Sequence, residues 1–311
     1  MRVLVTGASG YVGWAVVHEL RARGHQVVTL LHESVSAFPD DVEVRIGSLL
    51  SEAALRDAVN GVNGVVHLAA RSTVRDSVAH PTRVWRTNVA GTLNLLDALG
   101  VVFERTSMPA RLVFASTGSV YGTPAQQPIN ETAALAPLNP YGASKAAVEQ
   151  LIGAQAATGA LGAITLRMFS AAGAVAGRAD QDLSRIIPKV VAVATGAEPM
   201  VSVNGDGSAV RDFVHVADIA TAMATALDAA VPGEHEVYNV GAVPASVADI
   251  IAATERVSGR SVAVEHQPVN PSEAPELRAD TTKIRAELGW APTRTTIEEL
   301  VGDQWAAVAR G

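Results

Sequence analysis

The chain has 311 residues, 48% hydrophobic and 18% charged, with a net charge of -7 and no cysteine. That length and balance suit an α/β core in one large or two unequal units, and they exclude disulfides, thiolate nucleophiles and zinc-cysteine sites. The negative charge, with no Lys/Arg cluster to override it, argues against a nucleic-acid surface, and the longest apolar runs fall far short of the roughly 20 residues a membrane span needs.

Arg2-Val3-Leu4-Val5-Thr6 reads as a buried strand running straight into a glycine-rich turn, without the basic start and apolar core of a leader, so the expected setting is cytoplasmic. Up to about residue 168, short β-branched runs alternate with Ala-rich, Leu/Val-periodic stretches. This alternation predicts a parallel sheet covered by helices on both faces. Strands are expected at 2–6, 26–31, 42–46, 64–68, 111–115 and 162–167, with helices near 12–23, 51–59, 80–99 and 140–157. Beyond 168 the rhythm loosens into Gly/Pro-rich connections at 171–182, 196–207 and 267–275. The expected organisation is a doubly wound α/β domain over 1–168 and a smaller, mixed substrate-binding domain over 169–311. Arg211–Val214 and Val237–Val240 read as two more strands, with the 211–242 segment returning to the main sheet.

Gly7-x-x-Gly10-x-x-Gly13 follows the first strand and opens the first helix. Glycine permits the tight turn and close backbone approach, and the helix N-terminus offers free N–H groups and a positive dipole end to a pyrophosphate. The pattern predicts a Rossmann-type dinucleotide site. The second strand should end on a residue that reads the adenosine ribose, an acid for the 2'-hydroxyl of NAD or a basic group for the phosphate of NADP. It ends Leu31-His32-Glu33, with Leu31 at the expected acid position. Neither reading is clean, so the choice between NAD and NADP stays open, and His32 reads equally as a phosphate contact or a solvated loop histidine.

Tyr141 and Lys145 are four apart in a helical stretch and so share one face. An adjacent ammonium favours phenolate over phenol and makes tyrosine usable as a base. Ala115-Ser116-Thr117-Gly118-Ser119 follows the strand Leu112-Val113-Phe114, so Thr117 is expected in the crevice at the carboxyl end of the sheet, placed to polarise a sugar or carbonyl oxygen. The eight histidines show no metal-ligand spacing, no metal is expected, and His67 reads as a packed strand-end residue.

Together these motifs resemble the extended short-chain dehydrogenase/reductase family, most closely its nucleotide-sugar branch, the UDP-galactose 4-epimerase-like proteins. The resemblance spans essentially the whole chain. It adds Val66-His67-Leu68-Ala69-Ala70, Thr87-Asn88-Val89-Ala90-Gly91-Thr92, Pro140-Tyr141-Gly142-Ala143-Ser144-Lys145, Leu166-Arg167, the 205–218 segment around Arg211-Asp212-Phe213, Tyr238-Asn239-Val240-Gly241, Ala279-Asp280 and Leu288-Gly289-Trp290. The resemblance implies that Thr117, Tyr141 and Lys145 are catalytic. It lines the cofactor with Gly7, Gly10, Tyr11, Val12 and Gly13, with His32, Ser48 and Leu49, and with Leu68, Ala69, Ala70, Asn88, Tyr141 and Lys145. It gives Arg71, Thr117, Ser119, Ser170, Arg185, Arg211 and Glu273 to a nucleotide-sugar substrate. A guanidinium suits diphosphate because its fork binds two oxygens; the plain alternative for Arg211 is an ion pair with Asp212. The resemblance also implies a homodimer built on the helices near 80–99 and 140–157.

Three departures from the epimerases stand out: Gly47-Ser48-Leu49 where they carry an acid, Phe169-Ser170 where they carry Phe-Asn, and Pro268–Glu273 in place of a basic stretch. The related 4,6-dehydratases need acids just after the threonine, and the related decarboxylases a glutamate near residue 119; Gly118-Ser119 serves neither. The expected reaction is NAD(P)-dependent C4 epimerisation through a transient 4-keto sugar, with Tyr141 as base and then acid. The alternative is an NADPH-dependent ketoreductase acting on a keto sugar nucleotide or related ketone. A non-catalytic nucleotide sensor is a third reading, opposed by the intact Thr117/Tyr141/Lys145 set.

Overall fold

The computed structural model describes residues 1–32, 38–269 and 274–309. The first half alternates as expected: β1 (Arg2–Thr6), α1 (Tyr11–Ala22), β2 (Gln26–Leu31), β3 (Glu43–Ile46), α2 (Glu52–Ala58) and β4 (Gly64–His67). Then come α3 (Val74–Ala79), α4 (Pro81–Trp85), a π-helical turn (Arg86–Ala90), α5 (Gly91–Thr106), β5 (Ala110–Thr117), α6 (Pro140–Ala156) and β6 (Leu161–Met168). The helix expected over 80–99 is present as one continuous helical run from Pro81 to Thr106 with the π turn inside it, and α3 stands before it as a separate short helix. His80 sits at φ -134°, ψ 58°, because the residue before a proline is sterically pushed out of the helical region.

The second half carries β7 (Ser170–Ala172), β8 (Ala174–Val175), β9 (Arg178–Ala179), α7 (Ile186–Thr195), β10 (Val201–Asn204), β11 (Val210–His215), α8 (Val216–Ala229) and β12 (His235–Val240). It closes with β13 (Val243–Ser246), α9 (Val247–Ser258), β14 (Val264–Gln267), β15 (Glu276–Leu277), α10 (Thr282–Leu288) and α11 (Ile297–Val308).

Seven parallel strands form the main sheet in the order β12-β6-β5-β4-β1-β2-β3. Its strands are apolar on both sides because both faces are covered. Val3 and Val5 pack with α1 and α8 residues on one face, while Leu4 packs with α2, α5 and α6 residues on the other. The two extra strands part company. β12 pairs with β6 in the main sheet, whereas β11 lies in a small sheet with β7, β13 and β15, so only part of the 211–242 segment returns. A separate core gathers α7, α9 and α11 against β10, β11 and β13. Strand order reverses between β1 and β4, and the crevice outside their carboxyl ends is where such sheets bind ligands. Among the described residues no helix is long and apolar enough to cross a membrane.

Candidate active site

A cleft of about 850 Å³ opens at that reversal. The glycine loop forms its floor. Gly7 sits at φ +73°, and a Cβ there would lie 2.7 Å from the amide nitrogen of Ala69; a Cβ on Gly13 would lie 2.1 Å from the carbonyl oxygen of Gly7. Both glycines bring the helix and the neighbouring strand end into contact. Gly10 differs: a Cβ there would meet only the Gly7 carbonyl, at 3.2 Å, so the position is open to the cleft. It is also the N-cap of α1 and makes no side-chain capping bond. Free N–H groups at a dipole end, with backbone close by, fit the pyrophosphate of a dinucleotide.

His32, Ser48 and Leu49 line the far end of the cleft, and Leu68, Ala69 and Ala70 its middle wall. Leu31 is 1% exposed and turned into the core, so it cannot face a ribose. Tyr11 and Val12 line the cleft too, the Tyr11 hydroxyl donating to the Gly173 carbonyl at 2.7 Å.

Thr117 is the last residue of β5; its Oγ1 accepts from the Ser119 amide at 3.1 Å and lies 3.3 Å from the Ser119 hydroxyl. Opposite it, α6 starts on Pro140, and the Asn139 side chain caps the Gly142 amide at 2.9 Å. That start fixes Tyr141 in the first turn and Lys145 one turn deeper. A Cβ on Gly142 would lie 2.7 Å from the Ser119 carbonyl, so the glycine lets helix and strand end touch. Lys145 is 3% exposed; its Nζ donates to the Ala115 carbonyl at 2.7 Å and lies 4.5 Å from the Phe114 ring centre. Burial pulls this ammonium down to about 7, against an opposing pull from Glu149.

Burial pushes the Tyr141 phenol above its ordinary value, opposed by contact with the Thr117 hydroxyl and by the Arg185 guanidinium. The Lys145 amine is directed to the Ala115 carbonyl, and the Arg185 guanidinium is a charge that favours the Tyr141 phenolate.

Asn88, expected against the cofactor, stands behind the cleft wall instead. It is 3% exposed and fully engaged: Oδ1 accepts from the Arg71 amide at 2.8 Å, and Nδ2 donates to the Arg71 carbonyl at 3.1 Å and to Ser144 Oγ at 2.9 Å. It ties the loop after β4 to α6. The π turn around it changes the helical register locally, a distortion often found at functional sites. Beside it, His67 Nδ1 meets Thr6 Oγ1 at 2.7 Å and Nε2 meets Thr92 Oγ1 at 2.9 Å. Complete burial lowers the His67 imidazole to about 3, so it is neutral and bridges β1 to the first turn of α5.

At the other end Arg71, Ser119, Ser170, Arg185 and Arg211 line the cleft. Arg185 is held by Asp180 at 2.8 Å, a carboxylate 5% exposed, and by Asp182 at 3.6 Å. Arg211 donates from Nη1 to the Val210 and Ala274 carbonyls at 2.8 and 2.9 Å. The alternative of an Arg211–Asp212 ion pair does not match the register. Successive strand residues face opposite sides, and Asp212 is buried, accepting from the Ala242 amide at 2.7 Å and the Ala279 amide at 3.0 Å. Glu273 lies outside the described residues. Thr6, Ser72, Thr87, Phe169 and Phe213 also line the cleft and were not anticipated. Phe169 matches the Phe of the epimerases' Phe-Asn pair, with the departure at Ser170, and Thr6 and Thr87 are polar residues within the first strand and the Thr87–Thr92 motif. Among the described residues no three His, Cys, Asp or Glu side chains gather as metal ligands.

The model of the NAD dependent epimerase/dehydratase family matches residues 3–241. The chain is 35% identical over 318 residues to a UDP-glucose 4-epimerase of Corynebacterium glutamicum, covering 98% of this chain and 95% of that one. It is 37% identical over 319 residues to the UDP-glucose 4-epimerase of Streptomyces lividans, with the same coverage. Its fold superposes on the Stenotrophomonas maltophila UDP-glucose-4-epimerase, crystallised with NAD and formylated UDP-arabinopyranose, with a TM-score of 0.89 and 30% identity over 100% of this chain and 99% of that one. With a glycine-loop cleft at the strand-order reversal and a matched family model over most of its length, the chain belongs to the NAD dependent epimerase/dehydratase family.

Proposed function

We propose that the protein is an NAD-dependent epimerase acting at C4 of a UDP-sugar, with Tyr141 as the proton-transfer group. The observation that carries the reading is the convergence of Thr117, Tyr141 and Lys145 on one cleft with the glycine loop at one end and Arg185 and Arg211 at the other. Gly7, Gly10, Gly13 and the N-terminus of α1 hold the dinucleotide pyrophosphate, and Leu68 to Ala70 line its path. When bound, NAD supplies a hydride acceptor and a positive charge.

Acting as the phenolate, Tyr141 takes the proton of the C4 hydroxyl onto its oxygen, and as the phenol it later returns that proton, so no net redox change results. Thr117 hydrogen-bonds the same sugar oxygen, and Lys145 supplies a cation in the wall. Arg185 and Arg211 bind the diphosphate, and Arg185 also opposes the burial that keeps Tyr141 protonated. Dehydration is disfavoured by shape as well as by composition. A Cβ on Gly118 would lie 3.1 Å from the Phe169 ring, so an acid at that position has no room without displacing the ring.

The test is to denature purified protein, quantify the nicotinamide cofactor released, and assay interconversion of UDP-glucose and UDP-galactose. Near-stoichiometric NAD together with interconversion supports the reading. A second reading, an NADPH-dependent ketoreductase, draws on Leu31, which leaves the end of β2 without an acid for a ribose hydroxyl. Protein that purifies empty and binds NADPH more tightly than NADH favours it. The homodimer stands as a further proposal, supported by the exposed Val78, Trp85, Leu93 and Val101 on α3 to α5 and checked by sedimentation velocity.

A further inference from the structure

Behind Lys145 lies a buried ionic cluster that proton transfer as described does not use. Glu149 stands one helical turn beyond Lys145 on α6, and each is 3% exposed. Its carboxylate accepts from the Ser116 hydroxyl and, at 3.1 and 2.6 Å, from Nε and Nη2 of Arg167 on β6. Arg167 spends its remaining reach on the Tyr121 hydroxyl at 2.8 Å and the Glu131 carbonyl at 3.1 Å, and Tyr121 donates onward to Asn239 at 2.7 Å. Every charge in the cluster is met. Desolvating two ions is expensive, and an apolar pair of the same volume often serves stability as well, so a buried pair beside a reactive lysine asks for another explanation.

Position supplies one. Ser116 lies between Ala115, whose carbonyl accepts from Lys145, and Thr117, whose hydroxyl contacts Tyr141. The Glu149 carboxylate therefore grips the residue between both anchor points. It also brings negative charge within reach of the ammonium. His67 from β4, neutral in its buried setting, also feels the Lys145 charge, and Arg167 is paired with Glu149.

We propose that Glu149 is a positioning residue for the proton-transfer pair: through Ser116 it fixes the strand end that carries Thr117 and the Lys145 acceptor, and through its charge it holds Lys145 as a cation. The proposal rests on the reading of Tyr141 and Lys145 given above. Burial alone drives Lys145 toward the neutral amine, and Glu149 is the group that resists it. Glu149→Gln keeps an oxygen for Ser116 to donate to and removes the charge together with one of the two oxygens that accept from Arg167.

The chain has three lysines, Lys145, Lys189 and Lys283, so protein labelled at lysine 13Cε gives three titrating signals in NMR. In unliganded Glu149→Gln the Lys145 midpoint should fall by about one pH unit or more, with the other two unmoved. Ser116→Ala, which keeps the charge, should leave the midpoint in place and lower kcat with little change in KM. An unchanged Lys145 midpoint in Glu149→Gln overturns the proposal. Should that variant fail to fold around a stranded Arg167, the double variant Glu149→Gln/Arg167→Gln removes both charges, and an unchanged midpoint there overturns it equally. Because the titration needs neither substrate nor turnover, the two failures separate. An unmoved midpoint sinks the Glu149 role alone, while a lowered midpoint with wild-type turnover sinks the role of Lys145 and the proposal with it.

Discussion

Lys145 and Ala115 are 30 residues apart, yet the lysine Nζ donates a 2.7 Å hydrogen bond to the alanine carbonyl. That bond joins α6 to the end of β5 at the point where Thr117 enters the cleft. It ties the two elements together, and it directs the lysine amine at a carbonyl dipole while the Arg185 charge acts on Tyr141.

Tyr141→Phe removes the hydroxyl proposed to move the proton and leaves the ring. Turnover should fall by about 10²- to 10⁴-fold with the thermal midpoint and cofactor binding retained. Near-normal turnover would end the proposed mechanism.

Arg185→Met removes the cation that opposes burial at Tyr141. With the phenol still harder to ionise, the acid limb of the pH–kcat profile should move to higher pH. An acid limb that stays in place would mean that Arg185 serves the substrate alone.

Gly10 and Gly13 should separate binding from folding. A Cβ at Gly10 meets only one backbone oxygen, at 3.2 Å, so Gly10→Ala should fold normally but weaken dinucleotide binding by about tenfold or more in calorimetry. At Gly13 the same atom would lie 2.1 Å from the Gly7 carbonyl, so Gly13→Ala should lower the stability of the fold itself, by about 2 kcal/mol or more. Equal behaviour of the two variants would contradict this division.

Arg211→Ala should raise KM for a UDP-sugar by about tenfold, or 1.4 kcal/mol, with a smaller effect on kcat. Titration of UDP alone should show the same loss. Unaltered UDP affinity would remove the diphosphate role of this arginine.

Lys145 also makes stability depend on pH. Its folded value of about 7 lies below the unfolded value of 10.5, so between the two the unfolded chain binds more protons and stability rises with pH. The cost of the buried ammonium is fully present below pH 7 and is lost as pH rises through 10.5. In unliganded protein Lys145→Met should therefore be more stable than the parent at pH 7, with an advantage that shrinks by pH 10. Urea unfolding at both values checks it; an advantage independent of pH would show that burial does not depress this lysine.

Much of the architecture was legible beforehand. The strands from β1 to β6 read out because a doubly covered parallel sheet needs near-continuous apolar runs between turn residues. The glycine loop read out because only glycine tolerates the contacts at positions 7 and 13. The start of the helix near residue 80 read out because Pro81 announces it, whereas the short α3 before it was missed. The π turn has no sequence signal of its own. β11 and β12 look alike in composition, and their different sheets follow from which strand edge each meets.

By itself the sequence determined the doubly wound half, the dinucleotide loop and the spacing that sets Tyr141 and Lys145 on one face, since these depend on local sterics and on periodicities of two and 3.6 residues. Only the tertiary structure decided which charges act on them. The Arg185 charge acts on Tyr141 across 44 positions and Arg167 bonds Glu149 across 18, while Asn88 proves to be a strut behind the wall. The physical reason is range: turns and helices are written by neighbours in the chain, whereas desolvation and Coulomb forces act between neighbours in space, and folding alone determines who those are.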